Sequence, residues 1–123
     1  MLEASETRSV QILDARSQDR FDGLAPEPRA GLRAGHIPGS SCLPFTELLS
    51  NGKLKSQVQL REILNAHGVT GAAPVYTTCG SGVTAAIITL ALHCIGHYEV
   101  ALYDGSWTEW GGREDLPVAH SDA

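Results

Sequence analysis

The sequence predicts an α/β domain with a parallel sheet covered by helices. Three observations carry that expectation. Short apolar, β-branched runs over residues 10–13, 40–44, 74–78 and 100–103 alternate with helical stretches. Each connection between runs is long enough for a parallel crossover. The chain has 123 residues, of which 42% are hydrophobic and 19% charged, proportions that suit one globular domain with a single core.

The elements follow in order. Residues 1–9 are polar and read as a lead-in or linker end. Residues 10–13 form a short strand, stopped by Asp14-Ala15-Arg16-Ser17, and Ser17 or Asp14 is placed to cap a helical turn over 18–21. A long loop over 22–39 is rich in proline and glycine and holds Arg29 and Arg33, with Arg20 just before it. A loop of this length without periodicity points to function or mobility. Its guanidinium groups suit carboxylate or phosphate recognition. Residues 40–44 read as a second strand and 45–49 as a helical turn begun at Thr46. Residues 56–68 read as an amphipathic helix with Ser56 as N-cap and Gly68 as its stop. Residues 74–78 read as a buried strand and 85–95 as a helix with little polar surface, stopped at Gly96. A last strand over 100–103 turns through Asp104-Gly105-Ser106 into Trp107-Thr108-Glu109-Trp110, and residues 119–123 form a polar tail. In such sheets the site lies beyond the carboxyl ends of the strands, where Asp14, Cys79 and Asp104 all fall.

Composition excludes some classes. Net charge is −5 with no basic run, which argues against a nucleic-acid or anionic-membrane partner. No apolar segment reaches the roughly 18 residues of a membrane span, and residues 1–6 lack the regions of a signal peptide. The three cysteines, Cys42, Cys79 and Cys94, are no disulfide framework and fit a reducing, cytoplasmic setting.

Chemistry concentrates at Cys79-Gly80-Ser81-Gly82-Val83-Thr84. Here a strand hands over to a helix. The first amides of a helix have no internal partner, and with the helix dipole they favour an anion before them. A thiolate is such an anion, and helix N-termini lower a cysteine pKa from about 8.5 into roughly the 3.5–7.5 range. Gly80 and Gly82 let successive amides face one point. The stretch reads as a cradle for a charged sulfur, against the commoner fate of a free cysteine as a small core hydrophobe.

Other readings are weaker. A P-loop needs a lysine, and none follows Lys55. A cysteine phosphatase needs an arginine just after its loop, and residues 80–85 hold no basic group. His93 and His97 have a ligand spacing, but Gly96 ends their helix and no acidic third ligand is near, so no metal is expected. His36 reads as a turn-stabilising residue, and Trp107 and Trp110, three apart, as core. Cys42 and Cys94 sit in apolar surroundings and read as core.

Three segments resemble the rhodanese superfamily, and specifically the C-terminal catalytic domain of two-domain 3-mercaptopyruvate sulfurtransferases. They are Gly35-His36-Ile37-Pro38-Gly39, the run from Val100 to Trp110, and Cys79-Gly80-Ser81-Gly82-Val83-Thr84. The resemblance implies a rhodanese-like domain over 10–118, with a central parallel five-stranded sheet flanked by helices on both faces. It implies that Cys79 takes up sulfane sulfur as a persulfide and that the loop from Gly80 through Ser81, Gly82 and Val83 to Thr84 holds its charge. Ser81 is expected to relay a proton, while Arg20 and Arg29 bind the mercaptopyruvate carboxylate and carbonyl. No cofactor is implied. Acceptors would be cyanide, a thiol or thioredoxin, and a rhodanese-like N-terminal domain would precede this one. Thiosulfate-preferring relatives carry basic residues where Gly80 and Ser81 stand, so thiosulfate is the alternative donor. A non-catalytic persulfide carrier or binding module is the alternative from another class.

Overall fold

The computed structural model describes residues 1–2, 10–25, 27, 31–71, 73–80, 84–103 and 105–119. The chain folds in the order β1 (Gln11–Asp14), α1 (Gln18–Asp22), β2 (Ser40–Cys42), a 3-10 turn (Phe45–Leu48), β3 (Leu49–Ser50), β4 (Lys53–Leu54), α2 (Gln57–Ala66), β5 (Val75–Thr78), α3 (Ala85–Cys94), β6 (Val100–Leu102) and α4 (Ser106–Trp110). The main sheet runs β2-β1-β5-β6 and every pairing in it is parallel. Five strands were expected, and the described residues supply four. The remaining short strands, β3 and β4, pair only with each other, antiparallel. They form a hairpin the pattern above does not contain, turned by Asn51 and Gly52, both at positive φ, as Asn-Gly two-residue turns require.

Alternation along the strands sorts side chains into two apolar layers. Leu13 and Val75 face a core shared with Leu60 and Leu64 of α2 and with Ala85, Ile88, Ala91 and Leu92 of α3. Ile12 and Tyr76 face the opposite layer, where Ile37, Trp107, Trp110 and Leu116 pack. Both faces are therefore covered, as a parallel sheet needs. α2 opens with a capping box. The Gln59 N–H donates to Ser56 Oγ, and the Ser56 N–H donates to the Gln59 side chain. Ser17 holds the N-cap position of α1 but makes no capping hydrogen bond. Asp14 does not cap that helix either, because its carboxylate is taken by Arg16.

The strand order places the site. From β1 the chain steps one way to β2, while β5 and β6 lie on the other side. A crevice is expected outside the carboxyl ends at such a reversal. Asp14 and Thr78 are register partners at the ends of β1 and β5, and the Ala15 N–H donates to the Thr78 carbonyl at 2.8 Å. Residues 14–16 and 78–80 thus leave the sheet side by side.

Candidate active site

Cys79 follows directly on β5 and is 1% exposed. One side of it meets the apolar layer that holds Ala85 and Ile88. The other side meets the start of α4. The Cys79 N–H donates to Ser106 Oγ at 3.2 Å, and that oxygen lies 4.0 Å from Cys79 Sγ. Ser106 Oγ also accepts from Thr78 Oγ1 and donates to the Tyr103 carbonyl at 2.8 Å. A hydroxyl has one hydrogen and two lone pairs, so Ser106 is fully used in holding the strand end and the cysteine amide. It does so from a left-handed backbone with φ of 51°, a conformation that costs a non-glycine residue roughly 1–2 kcal/mol.

α4 fixes the next peptide groups. The Trp107 N–H donates to the Cys79 carbonyl at 2.8 Å, and the Thr108 N–H donates to the Gly80 carbonyl at 2.9 Å. Thr108 Oγ1 donates to that same Gly80 carbonyl at 2.7 Å. In a planar trans peptide the N–H opposes the C=O. With the Cys79 carbonyl pinned to α4, the Gly80 N–H is turned away from that helix.

Arg20 reaches the same spot from α1. A Cβ on Gly80 would stand 2.8 Å from Arg20 Nη2 and 3.7 Å from Cζ and Nη1. Only a residue without a side chain lets the guanidinium lie this close to the cysteine's neighbour. Behind Arg20 stands a chain of alternating charges. Arg20 Nη2 donates to Glu27 Oε1 at 2.8 Å, and Arg16 Nη1 donates to Glu27 Oε2 at 3.2 Å. Arg16 Nη2 donates to Asp14 Oδ2 at 2.9 Å and to the Gly35 carbonyl at 2.7 Å. The Arg16 guanidinium also lies 4.6 Å from the Trp107 ring centroid. Buried charges are tolerated when paired and hydrogen-bonded, and two carboxylates here meet two guanidiniums.

The expected residues divide as follows. Cys79, Gly80 and Arg20 are brought together. Thr84 is half-buried and occupies the N-cap position of α3 without a side-chain capping bond. Ser81, Gly82, Val83, Arg29 and Asp104 lie outside the described residues, as do residues 3–9 and 120–123. Arg33 has a structural role, donating to the carbonyls of Gly111, Leu116, Trp110 and Arg113. His36 is buried, with its ring stacked on Phe21 at 3.7 Å and Nδ1 hydrogen-bonded to the Phe21 carbonyl. Trp107 and Trp110 are core, each 1% exposed. Cys42 and Cys94 are only half-buried. Cys94 packs against the core, while the Cys42 thiol donates to the Arg16 carbonyl at 3.5 Å. Ser106, Glu27 and Arg16 were not foreseen as site residues. Only Glu27 carried a local signal, standing between Pro26 and Pro28 in sequence. Among the described residues no cluster of His, Cys, Asp or Glu is placed to hold a metal ion.

The chain matches known proteins along nearly its whole length. The family described as rhodanese-like domain matches residues 1–113. A 3-mercaptopyruvate sulfurtransferase from Escherichia coli is 49% identical over 118 residues, covering 96% of this chain and 42% of the relative. A mitochondrial thiosulfate/3-mercaptopyruvate sulfurtransferase from Arabidopsis thaliana is 45% identical, covering 92% of this chain and 30% of the relative. The crystal structure of a 3-mercaptopyruvate sulfotransferase from Escherichia coli superposes with a TM-score of 0.73 at 44% identity, covering 86% of this chain and 39% of that one. This chain therefore spans less than half the length of the relatives it matches.

Proposed function

The chain belongs to the rhodanese-like domain family, and on that footing we propose that it is the catalytic domain of a 3-mercaptopyruvate sulfurtransferase. The observation that carries this reading is a cysteine at the end of β5 with the Arg20 guanidinium laid against the glycine that follows it. The Cys79 thiolate attacks the sulfur of 3-mercaptopyruvate. An S–S bond forms and the CH2–S bond breaks. The bonding pair passes into the carbonyl to give the enolate of pyruvate, which takes up the proton of the donor thiol at carbon. Ser81 relays that proton. Arg20 and Arg29 bind the carboxylate and the oxygen on which charge develops, and guanidinium forks match both. The loop amides from Gly80 to Thr84 hold the persulfide anion until cyanide, a thiol or thioredoxin removes its outer sulfur.

The greater length of the relatives supports a rhodanese-like domain preceding this one in the full protein. An odd, sparse set of cysteines, Cys42, Cys79 and Cys94, fits a reducing, cytoplasmic setting. Thiosulfate is the second donor to consider, because the Arabidopsis relative's name carries both donors.

Mass spectrometry decides the main point. Protein treated with 3-mercaptopyruvate gains one sulfur atom on the peptide containing Cys79, and Cys79→Ser gains none. Loading on another cysteine, or no gain in folded protein, would sink the reading. Faster loading from thiosulfate would exchange the donor and keep the chemistry.

A further inference from the structure

We infer that Glu27 is a positioning residue for the anionic donor, holding one edge of the Arg20 guanidinium so that the other edge is presented over Gly80. This rests on the sulfurtransferase reading above.

The geometry is specific. Glu27 accepts from Arg20 through Nη2 at 2.8 Å and Nε at 3.4 Å. Those two nitrogens form one edge of the planar fork. The edge formed by Nη1 and Nη2 remains, and both atoms lie close to Gly80. That edge suits bidentate contact with a carboxylate. Accessibility divides the labour, because the Arg20 side chain is 28% exposed and that of Glu27 only 1%. A donor can touch Arg20, while Glu27 acts from behind it.

Stability accounts for only part of this arrangement. Glu27 Oε2 partners the buried Arg16, which also pairs with Asp14 and with the Gly35 carbonyl. Beyond that ion pair, Glu27 links the buried group to Arg20. Without it the long Arg20 side chain would sample many rotamers, and ordering it would fall to the donor. Bulk charge cannot substitute for placement. Asp14, Arg16, Glu27 and Arg20 together are formally neutral, so attraction for a donor anion depends on which edge of Arg20 lies over Gly80.

The test is steady-state kinetics on the purified protein. Glu27→Gln keeps the shape but sets amide N–H groups against a guanidinium. It should raise KM for 3-mercaptopyruvate about tenfold while leaving kcat within about twofold. In an Arg20→Ala background the same change should add nothing to KM, since its effect on the donor passes through Arg20, while the lost contact with Arg16 is read separately as a lower unfolding midpoint. Glu27→Asp keeps the charge and shortens the reach to Arg20. It should give an intermediate KM, and it supplies the measurement if the Gln variant does not fold. An unchanged KM in these variants, a loss confined to kcat, or a full further loss on top of Arg20→Ala would each overturn the inference. If the unsubstituted protein takes no sulfur from 3-mercaptopyruvate, the functional reading falls and this falls with it. Normal Cys79 loading with a KM indifferent to Glu27 overturns this inference alone.

Discussion

His36, within the long loop, is buried against Phe21, with Asp14, Arg16 and Asp22 as its charged neighbours. Burial pushes its pKa below the usual 6.5, outweighing the Phe21 carbonyl and Asp14, which act in the opposite direction. The folded protein therefore favours the neutral ring, and the unfolded chain binds a proton more readily. Stability from this group is complete above the unfolded pKa and is lost as pH falls through it toward the lowered folded value. Thermal melts should drop as pH falls below about 6.5, and His36→Gln should flatten that part of the profile. A variant whose profile keeps the wild-type slope would assign the drop to other groups. Cys42, at the end of β2, shows the same force on a thiol. Burial, aided by Asp14 and Asp22, pushes it up to about 12, so at neutral pH it stays protonated and does not compete as a nucleophile. At this scale the position of Cys79 at the end of β5 was legible, because a β-branched run gives way there to a glycine-rich stretch. Ser106 was not, because nothing near it in sequence tells that its hydroxyl meets an amide 27 positions earlier.

At the scale of elements, α2 was the most legible. Its stripe, its Ser56 cap and its stop were all readable, and the structure adds the reciprocal Gln59 contact. Ser56→Ala removes the cap and should cost about 1 kcal/mol. Urea titration should show a lower midpoint with an unchanged slope. Sulfur loading should be unaffected, since Ser56 is exposed at the start of α2 and its hydroxyl bonds Gln59 of the same helix. The β3–β4 hairpin was missed for a plain reason. Each strand has two residues, too few to display an alternation, and only Asn51-Gly52 marks it. The fifth strand came with the family resemblance and not from any apolar run in this chain, and the described sheet has four strands.

At the scale of the whole molecule, Trp107 ties the loop, the buried charges and the end of β5 together. Its indole N–H donates to the Arg33 carbonyl at 2.8 Å, its ring meets Arg16, and its main-chain N–H holds the Cys79 carbonyl. Trp107→Phe leaves the Arg33 carbonyl without its donor and should lower stability by about 2 kcal/mol, read from chemical unfolding followed by Trp110 fluorescence. An unchanged unfolding midpoint would mean that the indole contact is replaceable. The class of fold was visible because strand and helix periods alternate cleanly. The order β2-β1-β5-β6 was not, because period and propensity say which segments are strands and are silent on which ones lie side by side.

The pinning of Cys79 and Gly80 by residues 106–108 also sets a time order. In synthesis Cys79 is made before the helix that fixes it. Until residues 106–110 are made and docked, the thiol is an ordinary side chain on an unanchored turn. That turn is therefore fixed only after α4 has formed, and a chain ending before α4 would have no means of fixing it.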